Sequence, residues 1–461
     1  MRWTRTRATI AGASALVVGA AGVGGGLYLA GRGDPPAVAA PAASASPTPS
    51  PLVTPPPVLA APADGTPQTA SGVGKALITP LSDDRLGGRV SATVLDADTG
   101  EVLYDRGSTT YVTPASTAKL LTSVALLSVT RPDQRLSTRV VAGARPGEVV
   151  LVGGGDPTLS AAPPGKAPDY AGAARVSTLA AAARKAGVRA VTRVVVDSSL
   201  FAGPGMAPTW DPRDVTGGYI TPVSATMVDA GRQDGLRARS TTPDLEAGQA
   251  LAAALGAPTA AVVRGTAPPG AATLAEVESP PVPRLVERML LDSDNVLAEV
   301  LSRQIAIAEG TPASFQGAAD ATRTVLSRLR LPAGGDHLLD GSGLSAQDKV
   351  TPALLAGVLR VATGSSDPRL HALVPGLPIS GYLGTLDDRY RTGAAALAAG
   401  EVRAKTGTLD GVSSLAGLVR GADGRLLVFA VVADRVPVGG TLPAEAALDV
   451  VAAALAGCGC R

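Results

Sequence analysis

Tyr111–Leu127 reads YVTPASTAKLLTSVALL and sets a lysine three residues after a serine at the head of an apolar run. Thr113 is a good N-cap and Pro114 suits a first helical position, so the stretch predicts a buried helix that starts there. Ser116 then falls in the first turn, and Lys119 shares its face. Leu120, Leu121, Val124 and Leu127 cover the inward side. The chain has only six lysines among 41 basic residues, so this one needs a reason. The positive end of a helix favours an alkoxide on Ser116, while that field and burial together lower the pKa of the Lys119 amine. A neutral amine beside a serine hydroxyl is a nucleophile and its base. Alone, the pattern more often marks a helix-start serine with a solvated lysine.

With 461 residues and 45% apolar content, the chain can fill two or three domains with a sizeable core. Aromatics are 3%, so that core is built from Ala, Val and Leu. A net charge of +2, with no basic stripe interleaved with aromatics, excludes nucleic acid as a partner. Two cysteines and two distant histidines make no metal site and imply no cofactor. Cys458 and Cys460 have one residue between them, so a bridge in an oxidising compartment closes a tight ring.

Arg2, Arg5 and Arg7 precede the uncharged run Ala8–Ala30, so residues 1–32 read as an export signal or membrane anchor. Ala37-Val38-Ala39 offers a cleavage site, and anchor and cleaved signal both stay open. Residues 33–70 are rich in Pro, Ala and Ser and read as an extended spacer. Beyond it, Arg89–Gly107 alternates around Asp98-Thr99-Gly100, a hairpin signal. Ser413–Asp434 repeats that pattern around Ala422-Asp423-Gly424 and leads into an apolar helix. Helices are expected over 282–308, 313–330 and 352–363, with one more at 174–187. The expected fold class is therefore α/β in the α+β sense, an antiparallel sheet from both chain ends packed with helices. Segments 71–145 and 285–461 form that part, and 146–284, with mixed short strands and turns, is an insertion.

Two further motifs carry chemistry. In RMLLDSDNVLAEVLSRQ (Arg288–Gln304) the apolar pattern breaks at Asp292–Asn295, which predicts helix, tight turn, helix. The turn offers the Ser293 hydroxyl and the Asn295 amide, although Ser, Asp and Asn favour any turn. In EVRAKTGTLDGVSSLAGLV (Glu401–Val419) Lys405-Thr406-Gly407 reads as an edge strand facing a cleft. Lysine and threonine there suit a carboxylate, and glycine permits close approach, although lysine also guards ordinary edges. His337 and His371 lack a serine elbow and read as structural.

Ser-x-x-Lys, Ser-Asp-Asn and Lys-Thr-Gly in this order are the trio of penicillin-binding proteins and class A β-lactamases. The sequence resembles the low-molecular-mass class C penicillin-binding proteins, D-alanyl-D-alanine carboxypeptidase/endopeptidases, over about residues 73–457. LVGGGDPTLS (Leu151–Ser160), YITPVSATMVDAG (Tyr219–Gly231), DGSGLSAQDKVTP (Asp340–Pro352) and LPISGYLGTLDDR (Leu377–Arg389) add to the likeness. Ser116 and Ser293 lie 177 residues apart, which also matches a family with extra domains inserted there.

The resemblance implies a β-lactamase/transpeptidase-like fold and an exported serine carboxypeptidase of peptidoglycan stem peptides, acylated by β-lactams. It implies Ser116 as nucleophile with Lys119 as base, and Ser293 as proton relay through Lys119 or Lys405. Asn295 would hold the peptide amide, Lys405 and Thr406 the terminal carboxylate, and Gly407 would let the substrate backbone approach. The backbone N–H groups of Ser116 and Thr408 would form the oxyanion hole. Val296–Ala404 holds only Glu299, Glu309 and Glu401, none in a Glu-x-x-x-Asn loop, so a long-lived penicilloyl adduct is expected. The other readings are a β-lactamase or esterase on the same fold, and a non-catalytic sensor.

Overall fold

The two hairpins at opposite ends of the chain meet in one sheet. The computed structural model describes residues 68–233, 236–364 and 367–461, so Ala8–Ala30 and almost all of the spacer lie outside the described residues. In chain order the strands are β1 (Val90–Asp96), β2 (Val102–Arg106), β3 (Ser137–Ala142), β4 (Glu148–Gly153), β5 (Arg193–Asp197), β6 (Ala261–Arg264), β7 (Thr273–Glu278), β8 (Val402–Leu409), β9 (Val412–Arg420) and β10 (Leu426–Ala433). The helices are α1 (Ala70–Ile78), α2 (Lys119–Val129), α3 (Val176–Lys185), α4 (Arg213–Thr216), α5 (Pro243–Ala254), α6 (Val282–Leu291), α7 (Asn295–Ala308), α8 (Phe315–Arg328), α9 (Pro352–Gly364) and α10 (Thr441–Ala456).

The first sheet runs β2-β1-β10-β9-β8 and is antiparallel throughout. β1 lies along β10 from Val90 opposite Ala433 to Asp96 opposite Leu427, which joins the chain ends. Its central strands are buried on both faces, and their side chains divide by period two. Leu415, Val419, Leu427, Phe429 and Val431 face Leu77 and the apolar side of α10. Ala416, Leu418, Val428, Ala430 and Val432 face the larger helical core of α2, α7, α8 and α9. α2 is buried from Lys119 to Leu127, as a helix apolar all round must be.

The second sheet runs β6-β5-β4-β3-β7. β3 pairs antiparallel with β4 and β7, whereas β4, β5 and β6 are mutually parallel. Parallel neighbours need crossover helices, and α3 and α5 supply them. Both pack on one face of the sheet through Leu179, Ala183, Ala247 and Leu251 against Val149, Leu151, Val194 and Val196.

Two details depart from the sequence reading. β3 lies before residue 146 and yet belongs to the second sheet, which therefore takes in residues from Ser137. α1 was not expected, because two glycines weaken its intrinsic helix preference. Tertiary packing overrides this: Thr69 caps the helix through Gly72 N–H (3.0 Å), and its own N–H donates to the Cys460 carbonyl (2.7 Å). A Cβ at Gly72 would stand 2.5 Å from the Cys460 backbone, so only glycine allows that contact. Cys458 and Cys460 are joined as a disulfide, with Cα atoms 4.9 Å apart.

Candidate active site

The three motifs converge where the start of α2, the α6–α7 turn and β8 meet. Ser116 lies in a 3-10 turn, Ala115–Ala118, that feeds directly into α2 at Lys119. The helix does not begin at Pro114, and Thr113 is not its cap. Thr113 instead donates its hydroxyl to the Ala346 carbonyl (3.2 Å) and accepts from Lys349 Nζ (2.5 Å). Ala115 sits at φ 49°, a left-handed kink that an ordinary helix start lacks.

Lys119 is fully buried, and its Nζ donates to Ser116 Oγ (2.9 Å), Asn295 Oδ1 (2.6 Å) and the Ser342 carbonyl (2.7 Å). Asn295 Nδ2 donates to the Tyr219 carbonyl (3.1 Å), which fixes the amide so that Oδ1 faces the amine. A neutral Lys119 has two N–H bonds and one lone pair. Asn295 Oδ1 and the Ser342 carbonyl can only accept, so they take both N–H bonds. The lone pair is left toward the Ser116 hydroxyl, the geometry a general base requires. Burial pushes the Lys119 pKa down to about 8, although Asp340, Glu299 and Asp294 pull the other way.

Ser293 and Asn295 serve different lysines. Ser293 sits at φ 56° in the turn between α6 and α7 and accepts from Lys405 Nζ (2.9 Å). Lys405 is fully buried on β8 and also donates to the Thr406 carbonyl (2.6 Å). Burial first, then the charges of Lys119 and Arg389, hold its pKa well below the usual lysine range. The expectation left Ser293 a choice of two lysines, and its hydrogen bond is with Lys405.

β8 is the last strand of its sheet. Its outer edge is bridged at Arg403 by Ile379, and among the described residues no strand covers it from Lys405 onward. Thr406 Oγ1 lies 2.8 Å from Thr385 Oγ1, and Thr408 donates its exposed hydroxyl to Glu445 (2.7 Å). Gly407 is needed for a reason other than substrate approach. A Cβ there would stand 2.2 Å from Ser414 Oγ and 2.7 Å from the Pro114 carbonyl, so glycine lets the Ser116 turn pack on the strand.

Several residues escaped the sequence reading as parts of this site. Glu299, one turn along α7 from Asn295, is fully buried and accepts the N–H groups of Gly341 (3.0 Å) and Ser342 (2.8 Å). Asp340 accepts the N–H groups of Ser342, Gly343 and Ser345 and the Trp210 indole N–H (2.7 Å). Together these carboxylates fix the loop whose Ser342 carbonyl meets Lys119. Burial, then the nearby Asp340 charge, pushes the Glu299 pKa up to about 7. The available signal was a charged residue at a core position of α7, four residues before Arg303. Among the described residues no group of three or more His, Cys, Asp or Glu side chains is arranged to hold a metal ion.

The arrangement can add a serine oxygen to a carbonyl carbon, store the proton on a neutral amine, and return it through a second lysine–serine pair. Comparison with known proteins points the same way. The family model for D-Ala-D-Ala carboxypeptidase 3 (S13) matches residues 74–235 and 232–455. Carboxypeptidase DacB of Mycolicibacterium smegmatis is 42% identical over 466 residues, covering 100% of this chain and 99% of that one. The D-alanyl-D-alanine carboxypeptidase of an Actinomadura species is 29% identical over 438 residues, covering 75% and 78%. Among solved structures, penicillin binding protein 4 (dacB) of Haemophilus influenzae aligns with a TM-score of 0.66 at 21% identity, over 83% of this chain and 97% of that one, a likeness of fold. A match along nearly the whole described chain places this protein in the D-Ala-D-Ala carboxypeptidase 3 (S13) family.

Proposed function

We propose that the protein is a serine D-Ala-D-Ala carboxypeptidase that trims peptidoglycan stem peptides through an acyl-enzyme and is acylated by β-lactams. The observation that carries this is the buried Lys119 amine, 2.9 Å from Ser116 Oγ with its other two partners both obligate acceptors. Ser116 Oγ attacks the carbonyl carbon of the penultimate D-alanine as its proton passes to Lys119. The oxyanion is held by the backbone N–H groups of Ser116 and Thr408. Collapse breaks the peptide bond, and the leaving D-alanine nitrogen takes up the proton that Lys119 accepted, relayed through the Lys405–Ser293 pair, so Lys119 is neutral again. Water then attacks the ester, its proton passes to Lys119, and Lys119 returns it to Ser116 Oγ as the acyl–oxygen bond breaks, which restores Ser116. Asn295 keeps a second amide N–H for the peptide carbonyl, and Lys405 and Thr406 bind the terminal carboxylate along the uncovered edge of β8.

Work on peptidoglycan is work outside the cytoplasm. Residues 1–32 carry the chain across the membrane as a cleaved signal or keep it there as an anchor, and 33–70 give it reach. Strand pairing supports a catalytic part that ends before Ser137 and resumes after Glu278. The test is D-alanine release from a peptide ending in D-Ala-D-Ala, with benzylpenicillin turnover measured beside it. Release by the wild type and none by Ser116→Ala is the expected result. Rapid drug hydrolysis without D-alanine release would establish the β-lactamase alternative instead.

A further inference from the structure

Asp294, between Ser293 and Asn295, has no part in the chemistry above, yet its side chain is fully buried. Its Oδ1 caps α7 by accepting the N–H groups of Val296 (2.9 Å) and Leu297 (3.1 Å). Its Oδ2 faces residues distant in sequence. Tyr170 donates its hydroxyl (2.7 Å), Arg232 donates Nη2–H (2.9 Å), and Arg239 Nη2 stands at 3.9 Å. Arg232 also donates Nη1–H to the Tyr170 oxygen, and its guanidinium lies 5.1 Å from the centre of that ring. All three come from the stretch between β3 and β7, which also supplies the Tyr219 carbonyl that orients Asn295. Ser293 holds a left-handed φ that serine rarely adopts, so the turn must be over-determined by its surroundings.

We propose that Tyr170, Arg232 and Arg239 form a clamp on Asp294 that positions Ser293 and Asn295 for acylation of Ser116. The stretch carrying the second sheet is then a working part of the active site, not an appendage. The proposal rests on the Ser116–Lys119 reading of the reaction. The three are positioning residues, because they touch Asp294 and neither substrate nor reacting atoms. Burial opposes the Asp294 charge, but Arg239, Arg232 and the Tyr170 hydroxyl outweigh it and hold that carboxyl below its usual range. The charged and titratable groups facing Asp294 are Tyr170, Arg232, Arg239, Lys119 and the like-charged Asp292. Those facing Lys119 are Asp340, Glu299, Asp294 and Lys405. Loosening the clamp therefore acts twice. Ser293 and Asn295 drift from their lysines, and a less balanced Asp294 favours the ammonium form of Lys119, which delays the free amine to higher pH.

The test measures acylation by benzylpenicillin, by intact mass from pH 6 to 9, for the full chain and for Arg232→Met, Arg232→Lys and Tyr170→Phe. Arg232→Met should react about tenfold more slowly at pH 7, with its acid limb about half a unit higher. Arg232→Lys restores the charge without the fork, so the limb should return while part of the rate loss stays. Tyr170→Phe removes one hydroxyl, shifts both quantities the same way by less, and stands in should Arg232→Met not fold. Arg232→Met and Tyr170→Phe variants that keep the wild-type rate and limb, or that slow equally at every pH, would overturn the clamp. A wild type that is never acylated would overturn the Ser116–Lys119 reading itself, which separates that failure from failure of the clamp alone.

Discussion

The two sheets bury charge to different ends. Beside the first, Lys119 and Lys405 are fully buried amines within hydrogen-bond reach of serines, each with a depressed pKa. The second is a valine-rich sheet with an apolar core under α3 and α5. The stretch that carries it sends its polar groups, Tyr170, Tyr219, Arg232 and Arg239, toward the Ser293–Asn295 turn. A buried amine with two obligate acceptors is reactive, whereas a buried carboxylate that accepts four hydrogen bonds beside two arginines is held. The difference is one of pairing and not of burial.

That contrast can be broken most severely at Lys119. Lys119→Ala should lower acylation near neutral pH by about a thousandfold or more, because the base is lost while Ser116 stays in place. Ordinary labelling of the folded variant would remove Lys119 from the mechanism. Lys405→Met should cost about a hundredfold, since Ser293 loses its donor and the substrate carboxylate its cation. Single-turnover D-alanine release measures this, and a loss confined to KM would assign Lys405 to binding alone.

A Glu299→Gln change should cost about tenfold in acylation. It removes a carboxylate that accepts two loop N–H groups and also lowers the Lys119 pKa, so the acid limb should move down in pH. This is opposite in sign to the effect expected of Arg232→Met, and the two pH profiles together sharpen the comparison. The smallest effect on rate belongs to the second sheet's own core. Leu251→Ala should destabilise the protein by about 2–4 kcal/mol by leaving a cavity. Its acylation rate per folded molecule should not change, as denaturant titration beside mass labelling would show.

Much of the site was legible because its chemistry sits in short motifs with fixed local settings. A lysine one turn into an apolar helix, a polar break between two amphipathic helices and a lysine on an edge strand each mark a conflict between burial and charge. The first sheet was legible through its hairpin turns at Asp98-Thr99-Gly100 and Ala422-Asp423-Gly424. The second was less so, because EVVLVG in β4 and RVVVD in β5 are short apolar runs whose partners are set by crossovers and not by turns. Even so, α5 carries helix-start signals, with Pro243 at its start and Asp244 and Glu246 in its first turn. Glu299, the Ser342 carbonyl and the donors on Asp294 were out of reach for another reason. Each acts through a contact between distant segments, and a backbone carbonyl has no residue type to betray it.

The most direct test of the central claim is the pH dependence of benzylpenicillin acylation, followed by intact mass for the wild type and Ser116→Ala. A single adduct on the wild type, absent from Ser116→Ala, should form at a rate that rises about tenfold per pH unit and levels off near pH 8, where Lys119 loses its proton. An adduct that persists in Ser116→Ala, or a wild-type rate that stays flat from pH 6 to 9, would contradict the pairing of Ser116 with a neutral Lys119.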